Sequence, residues 1–189
     1  MSIWAPEDVV QASEFMVDTW SSLTTDQIYK KRTGGDAWAL FAAPSIYDSA
    51  PGLETYHKVF APYTEFKRKI TISAVDANTG MKITMTDKEI DFKDLPIAVM
   101  GSASVPGVFP VTPYLGHHLI DGMTAYNTDV QATINRCKDI VGEYENNITI
   151  DVLQISSPAT ADVWDSPAKM AYSNYERASA IKDAHVGSD

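Results

Sequence analysis

Residues 94–127 read DLPIAVMGSASVPGVFPVTPYLGHHLIDGMTAYN, and the fold turns on how this stretch is laid down. Asp94 can cap a helix, and Pro96 falls in its first turn, where a missing N–H costs little. Ile97, Ala98, Val99 and Met100 form an apolar run that ends in the small residues Gly101, Ser102, Ala103 and Ser104. Small side chains in a row let two backbones approach closely. Val105, Pro106 and Gly107 predict a turn, after which Phe109 and Val111 alternate into a strand broken by Pro110 and Pro113. Leu119 and Ile120 predict a short apolar strand that runs into Asp121 and Gly122. An acid at the end of a buried strand, followed at once by glycine, presents one carboxylate to a cleft.

On the N-terminal side, residues 68–86 carry the clearest strand pattern. Ile70, Ile72 and Ala74 alternate with Thr71 and Ser73, and Met81, Ile83 and Met85 alternate with Lys82, Thr84 and Thr86. Asp76, Ala77, Asn78, Thr79 and Gly80 join the two as a hairpin. Asp76 reads as a side chain bonding its own turn, since the loop is too short and too weakly charged for calcium. Further back, Ala12, Phe15, Met16, Thr19, Trp20 and Leu23 fall on one helical face and predict a core-facing helix. Thr24 or Thr25 caps a second short helix towards Lys31, with Lys30, Lys31 and Arg32 read as a solvated helix end. Residues 33–62 are broken by glycine and proline yet dense in Trp38, Leu40, Phe41, Tyr47, Tyr56 and Phe60. These side chains either pack over the sheet or line an acyl-chain channel, with packing favoured.

On the C-terminal side, Thr128 with Gln131 predicts a capping box opening a helix whose stripe is Val130, Ile134, Cys137 and Val141. Cys137 on that stripe reads as an inert core thiol. Ile148, Ile150, Val152 and Ile155 predict an interior strand, which discounts the Asn147-Ile148-Thr149 glycosylation sequon. Ser166 and Pro167 open a last helix reaching Lys182. His117 and His118 lie too close in sequence for both to face one cleft, and His57 and His185 lack partners at ligand spacing, so a zinc site is not expected.

The bounds agree with one globular domain over residues 1–189. A net charge of −10 argues against nucleic acid and against purely electrostatic docking on anionic lipid. The single cysteine excludes an intrachain disulfide and suits a reducing compartment. No run approaches the length of a membrane span, and no signal-peptide pattern follows Met1. The location expected is cytoplasmic, with peripheral contact at membranes.

The run GSASVPGVFP, a gap of ten residues, then Asp121-Gly122 and Asn127, resembles the C-terminal half of patatin-like phospholipases. There an S-x-(A/S)-(I/V)-P-G-x-F-P block precedes an Asp-Gly-Gly that carries the catalytic aspartate. The stretches LTTDQIYKK with Gly34-Gly35, PSIYDSAP and AVDANTG also match in order, so the resemblance covers nearly the whole chain. It implies an α/β fold, a three-layer sheet sandwiched by helices, here lacking its first strands and its nucleophile elbow. It also implies a serine–aspartate dyad that cleaves phospholipids or other acyl esters without metal or organic cofactor. Asp121 matches the dyad aspartate, and Gly122, Ser104, Pro106 and Gly107 match the supporting motif positions. Met123 departs from the family's second glycine, and no G-x-S-x-G occurs in the chain. Ser102 and Ser104 belong to the block and lack elbow glycines.

The nucleophile is therefore expected off this chain, on an upstream segment or partner that also supplies the missing strands, and the 189 residues alone are expected to be inactive. Without those strands, the strands at 69–75 and 148–155 are expected to lose a neighbour. Two other readings remain open. The chain could be a catalytically dead patatin fold serving as a structural or binding subunit. It could also be an unrelated α/β binding module with Asp121 in a simple surface turn.

Overall fold

The computed structural model describes residues 2–125 and 128–153, which form a mixed α/β structure. The chain divides into two units, Met1–Ile140 and Val141–Asp189. In the second, the described residues 141–153 hold a 3-10 turn at Glu145–Asn147 and then irregular chain. The first unit holds the sheets. Six α-helices lie among the described residues: α1 (Val9–Ser22), α2 (Thr25–Ile28), α3 (Gly35–Ala42), α4 (Ala50–Phe60), α5 (Leu95–Ser102) and α6 (Val130–Val141). Two-residue strands β1 (Lys30–Lys31) and β2 (Tyr47–Asp48) pair with each other.

The main sheet is antiparallel throughout, in the order β4-β3-β6-β5. Its strands are β3 (Thr71–Asp76), β4 (Lys82–Thr86), β5 (Thr112–Tyr114) and β6 (His117–Asp121). The alternation of β3 sorts its side chains by face. Ala74 is fully buried with Met85 and Leu119 in a core completed by Leu95 and Ala98 of α5, and Ile70, Ile72 and Ile83 pack against it. Ser73, paired with Thr84, points to the other face, where α6 begins.

The row of small residues does what close approach requires. A Cβ on Gly101 would stand 2.6 Å from Leu119 Cδ1 and 3.0 Å from its Cβ, and Leu119 is itself fully buried. One strand end further on, a Cβ on Gly122 would meet the Ser73 carbonyl oxygen at 2.7 Å. Helix α5 and the 3-10 turn Gly122–Thr124 thus sit against the sheet at distances only glycine allows.

Several expectations need correcting. Helix α1 forms as expected, but its covered side is narrower than its apolar side. Ala12 is buried and Phe15 packs on Trp4 and Tyr63, whereas Trp20 is 73% exposed. At 3.6 residues per turn Trp20 lies about 140° round from Phe15, beyond the contact. Strand β3 is not an edge: β4 flanks it on one side and β6 returns on the other. No strand forms over the described residues 148–153, and Leu153 is exposed; Ile155 and the helix expected from Ser166 to Lys182 lie outside the described residues. Asn147 is therefore exposed in its turn, and the sequon does not lead into a buried strand. The cap of α6 is Asp129, whose Oδ1 accepts from Ala132 N at 3.1 Å, so the capping box from Thr128 does not form. Its buried positions are Ala132 and Arg136, with Val130 exposed and Cys137 half-buried. Lys30 and Lys31 form β1 instead of a helix end. Phe109 lies outside the strand, which starts at Thr112.

Replacing Gly101 by alanine should destabilise the fold by about 1–3 kcal/mol, the usual cost of overfilling a packed core. A thermal melt of Gly101→Ala within a degree or two of the wild type would show that α5 can retreat from Leu119.

Candidate active site

Asp121 is the last residue of β6 and is held there through its backbone: its N–H donates to the Ser104 carbonyl at 2.9 Å. Its carboxylate is half-buried and accepts from Met123 N at 2.9 Å. Burial pushes the carboxyl above its ordinary value, and the single Met123 N–H offsets only part of that. Asp121 lines a polar cleft of about 220 Å³ with Thr71, Ser73, Ser102, Gly122, Met123, Asp129 and Thr133.

The same cleft is lined by a second carboxylate in a different state. Asp129 Oδ2 accepts from Ser73 Oγ at 2.6 Å, and Lys82 Nζ donates to Oδ1 at 3.0 Å. Burial alone would raise this carboxyl, but the Ser73 and Lys82 donors, with Ala132 N, outweigh it and hold Asp129 below its ordinary value. The cleft therefore holds one carboxylate fully engaged as an anion and one with room to take a proton.

The serines of the block are both committed. Ser102 Oγ donates to the Ser73 carbonyl at 2.7 Å. Ser104 is fully buried, with Oγ 2.8 Å from the Met100 carbonyl and 2.8 Å from Thr112 Oγ1. Ser104 thus acts on Asp121 only through its backbone carbonyl. Pro106 and Gly107 do not line the cleft; the Gly107 carbonyl accepts from Ile46 N at 2.9 Å and ties the turn to β2. Gly122 does line it, pressed against β3.

Neither histidine of the β5–β6 hairpin lines this cleft. His117 Nδ1 is 3.4 Å from Asp76 Oδ2, and His118 Nδ1 is 2.8 Å from Asn78 Nδ2. Asp76 is the turn residue expected of it: the His118 N–H holds its carboxyl well below the usual range, to about 2, against burial and with help from Asn78 N and Thr79 Oγ1. Among the described residues no three His, Cys, Asp or Glu side chains converge to hold a metal ion.

Sequence reasoning found Asp121 and Gly122 but missed Ser73, Lys82 and Asp129. The signals available were an aspartate at the first turn of a helix and polar residues alternating along β3 and β4. Comparison with protein-family models, with curated proteins and with solved structures returns no match. No helix among the described residues is long and apolar enough to cross a membrane.

The state of Asp121 has a consequence for stability. Its folded carboxyl titrates above its unfolded value, so the ionised form costs stability at neutral pH, and that cost disappears once pH falls below the unfolded value of 3.8. Asp121→Asn keeps the Oδ1 acceptor for Met123 and should melt at or above the wild-type temperature at pH 7. The difference should shrink as pH is lowered towards the unfolded value. An Asn variant that melts well below the wild type at pH 7 would mean the charge is stabilised by a partner.

Proposed function

We propose that residues 1–189 are the C-terminal part of a patatin-like serine acyl hydrolase, acting on phospholipid or other acyl esters, with Asp121 as the dyad aspartate. The observation that carries this reading is Asp121 itself: a half-buried carboxylate raised by burial, fixed at a strand end, open to a polar cleft and one block away from GSASVPGVFP. A base of that kind suits the removal of a serine proton near neutral pH, because a raised pKa makes the carboxylate more basic. The nucleophilic serine and the N–H donors for the oxyanion come from the segment carrying the family's first strands and elbow, outside these 189 residues. In this reading the three-layer patatin sheet is completed by that segment, and the protein works in the cytoplasm.

A second reading has its own support. Met123 replaces the family's second glycine, and Ser102 and Ser104 are both engaged with backbone carbonyls. A catalytically dead patatin fold kept as a structural or binding subunit needs no more than this.

The 189-residue chain should leave p-nitrophenyl esters and phospholipids intact and take no fluorophosphonate label. Turnover blocked by fluorophosphonate, with label on Ser102 or Ser104, would place the nucleophile on this chain and overturn the assignment. In a chain that carries the elbow serine, Asp121→Asn should lower turnover by about 10²–10⁴-fold, the range for losing a general base. An Asn variant as fast as the parent would remove Asp121 from the mechanism, and a parent that is itself inactive would favour the second reading.

A further inference from the structure

Residues 30–48 leave the body of the fold and return to it as an arm closed at its base. The ladder pairs Lys30 with Asp48 and Lys31 with Tyr47. Just above it, Arg32 Nε donates to the Ser45 carbonyl and Nη2 to Ser45 Oγ, both at 3.0 Å, while Ser45 Oγ donates to the Tyr47 carbonyl at 2.7 Å. Ile46 N and Tyr47 N donate to the carbonyls of Gly107 and Val108, and the Tyr29 and Tyr47 rings stack 4.5 Å apart. The base is thus fixed by backbone, side-chain and aromatic contacts at once.

What the arm carries outward is helix α3, GDAWALFA. Only Ala39 is buried, whereas Trp38 is 50%, Leu40 60% and Phe41 88% exposed. After Asp36 the helix has no polar residue, so its outward side is apolar throughout. A collar of cations stands beside it: the Lys30 and Lys31 side chains are 61% and 70% exposed, steadied by Asp48 at 3.2 Å and Asp36 at 3.5 Å. With Arg32 and Trp38 they line a groove of about 360 Å³.

We propose that this arm docks on an anionic lipid bilayer, with Trp38, Leu40 and Phe41 entering the boundary between headgroups and acyl chains and Lys30 and Lys31 meeting lipid phosphates. Large aromatic and aliphatic side chains beside lysines are the chemistry of that boundary, where rings sit below the phosphates and ammonium groups reach up to them. Size argues against a protein partner. The three side chains expose together about 400 Å², given the area such side chains carry, which is half of what each partner of a stable complex contributes. A bilayer sets no such minimum, because each inserted side chain adds its own share. Charge fits the order of events: a chain of net charge −10 is not drawn to the surface as a whole, so insertion supplies the binding and the collar sets the orientation.

Vesicle binding is read without turnover, so this proposal and the acyl-hydrolase reading stand or fall separately. The full chain should float with phosphatidylcholine–phosphatidylserine vesicles. Trp38→Ser with Phe41→Asp should weaken that binding by about tenfold or more. Lys30→Ala with Lys31→Ala should weaken it by about tenfold or more on these vesicles and leave binding to pure phosphatidylcholine unchanged. Because a double variant can misfold, brominated lipids give a second measurement: they should quench the wild-type tryptophan emission, and Trp38→Phe, which keeps an aromatic ring, should remove most of the quenching. The proposal is overturned if the wild-type chain stays off the vesicles, if Trp38→Ser with Phe41→Asp binds as well as the wild type, or if quenching persists in Trp38→Phe. A self-associating chain that this double variant returns to monomer, with no change in flotation, would assign the arm to a second copy instead.

Discussion

Helix α5 lies against β6, and the turn after β6 against β3, closer than a Cβ permits, and the geometry around Asp121 depends on those two contacts. Gly101 faces the Cδ1 and Cβ of Leu119, and Gly122 faces the Ser73 carbonyl, each with no room for a methyl group. Because α5 ends there, its following turn brings the Ser104 carbonyl to the Asp121 N–H, and the Ser102 hydroxyl to the Ser73 carbonyl. These two bonds join the helix end to both strands. The apolar contact alone would be non-directional; the hydrogen bonds fix where along β6 the carboxylate stands.

Three aspartates, two on this sheet and one at the start of α6 against it, show how surroundings divide one side-chain type into different roles. Asp76 gathers four donors around a turn and stays an anion far into acid. Its contribution to stability is present above the unfolded carboxyl value of 3.8 and is lost as pH falls towards about 2. Asp129 is similarly engaged, by Ser73, Lys82 and the first turn of α6. Asp121 has one backbone donor and the cost of burial, and its shift runs the opposite way. Of the two carboxylates in the cleft, it is the one left with proton affinity to use.

The sequence made the sheet legible where one face is buried and the other is not. Alternation over 70–86 located β3, β4 and the Asp76 turn, because period two is written directly into a half-buried hairpin. The small residues 101–104 announced a close approach, and Leu119 with Asp121-Gly122 announced a strand that ends in an acid. What failed shares a cause. The strand expected from Ile148, Ile150, Val152 and Ile155 and the stripe reaching Trp20 both rest on the spacing of apolar residues, but apolarity does not tell how much of a face the rest of the fold covers. The cap of α6 lies one residue beyond the expected Thr128, since Thr128 and Asp129 are both good caps and only Asp129 also finds Ser73 and Lys82. Asp129, Ser73 and Lys82 come from three separate elements, and no spacing in the sequence links them.

The character of the cleft also limits what can occupy it. Its walls are hydroxyls, two carboxylates and a glycine, with Met123 the one large apolar side chain. Such a lining can receive a polar ester linkage or alcohol but offers an acyl chain nothing that water does not. The apolar groove formed by Phe60, Tyr63, Phe92 and Pro96, of about 360 Å³, shares no lining residue with it. In the acyl-hydrolase reading the cleft therefore takes the polar side of the ester. The tail is held by surfaces beyond the cleft, either on the segment that brings the serine or in the lipid from which the substrate is drawn. The acyl-hydrolase proposal and the docking proposal are compatible, because a half-buried carboxylate in a polar cleft and an apolar arm with a basic collar would each meet the portion of a lipid that matches its own chemistry.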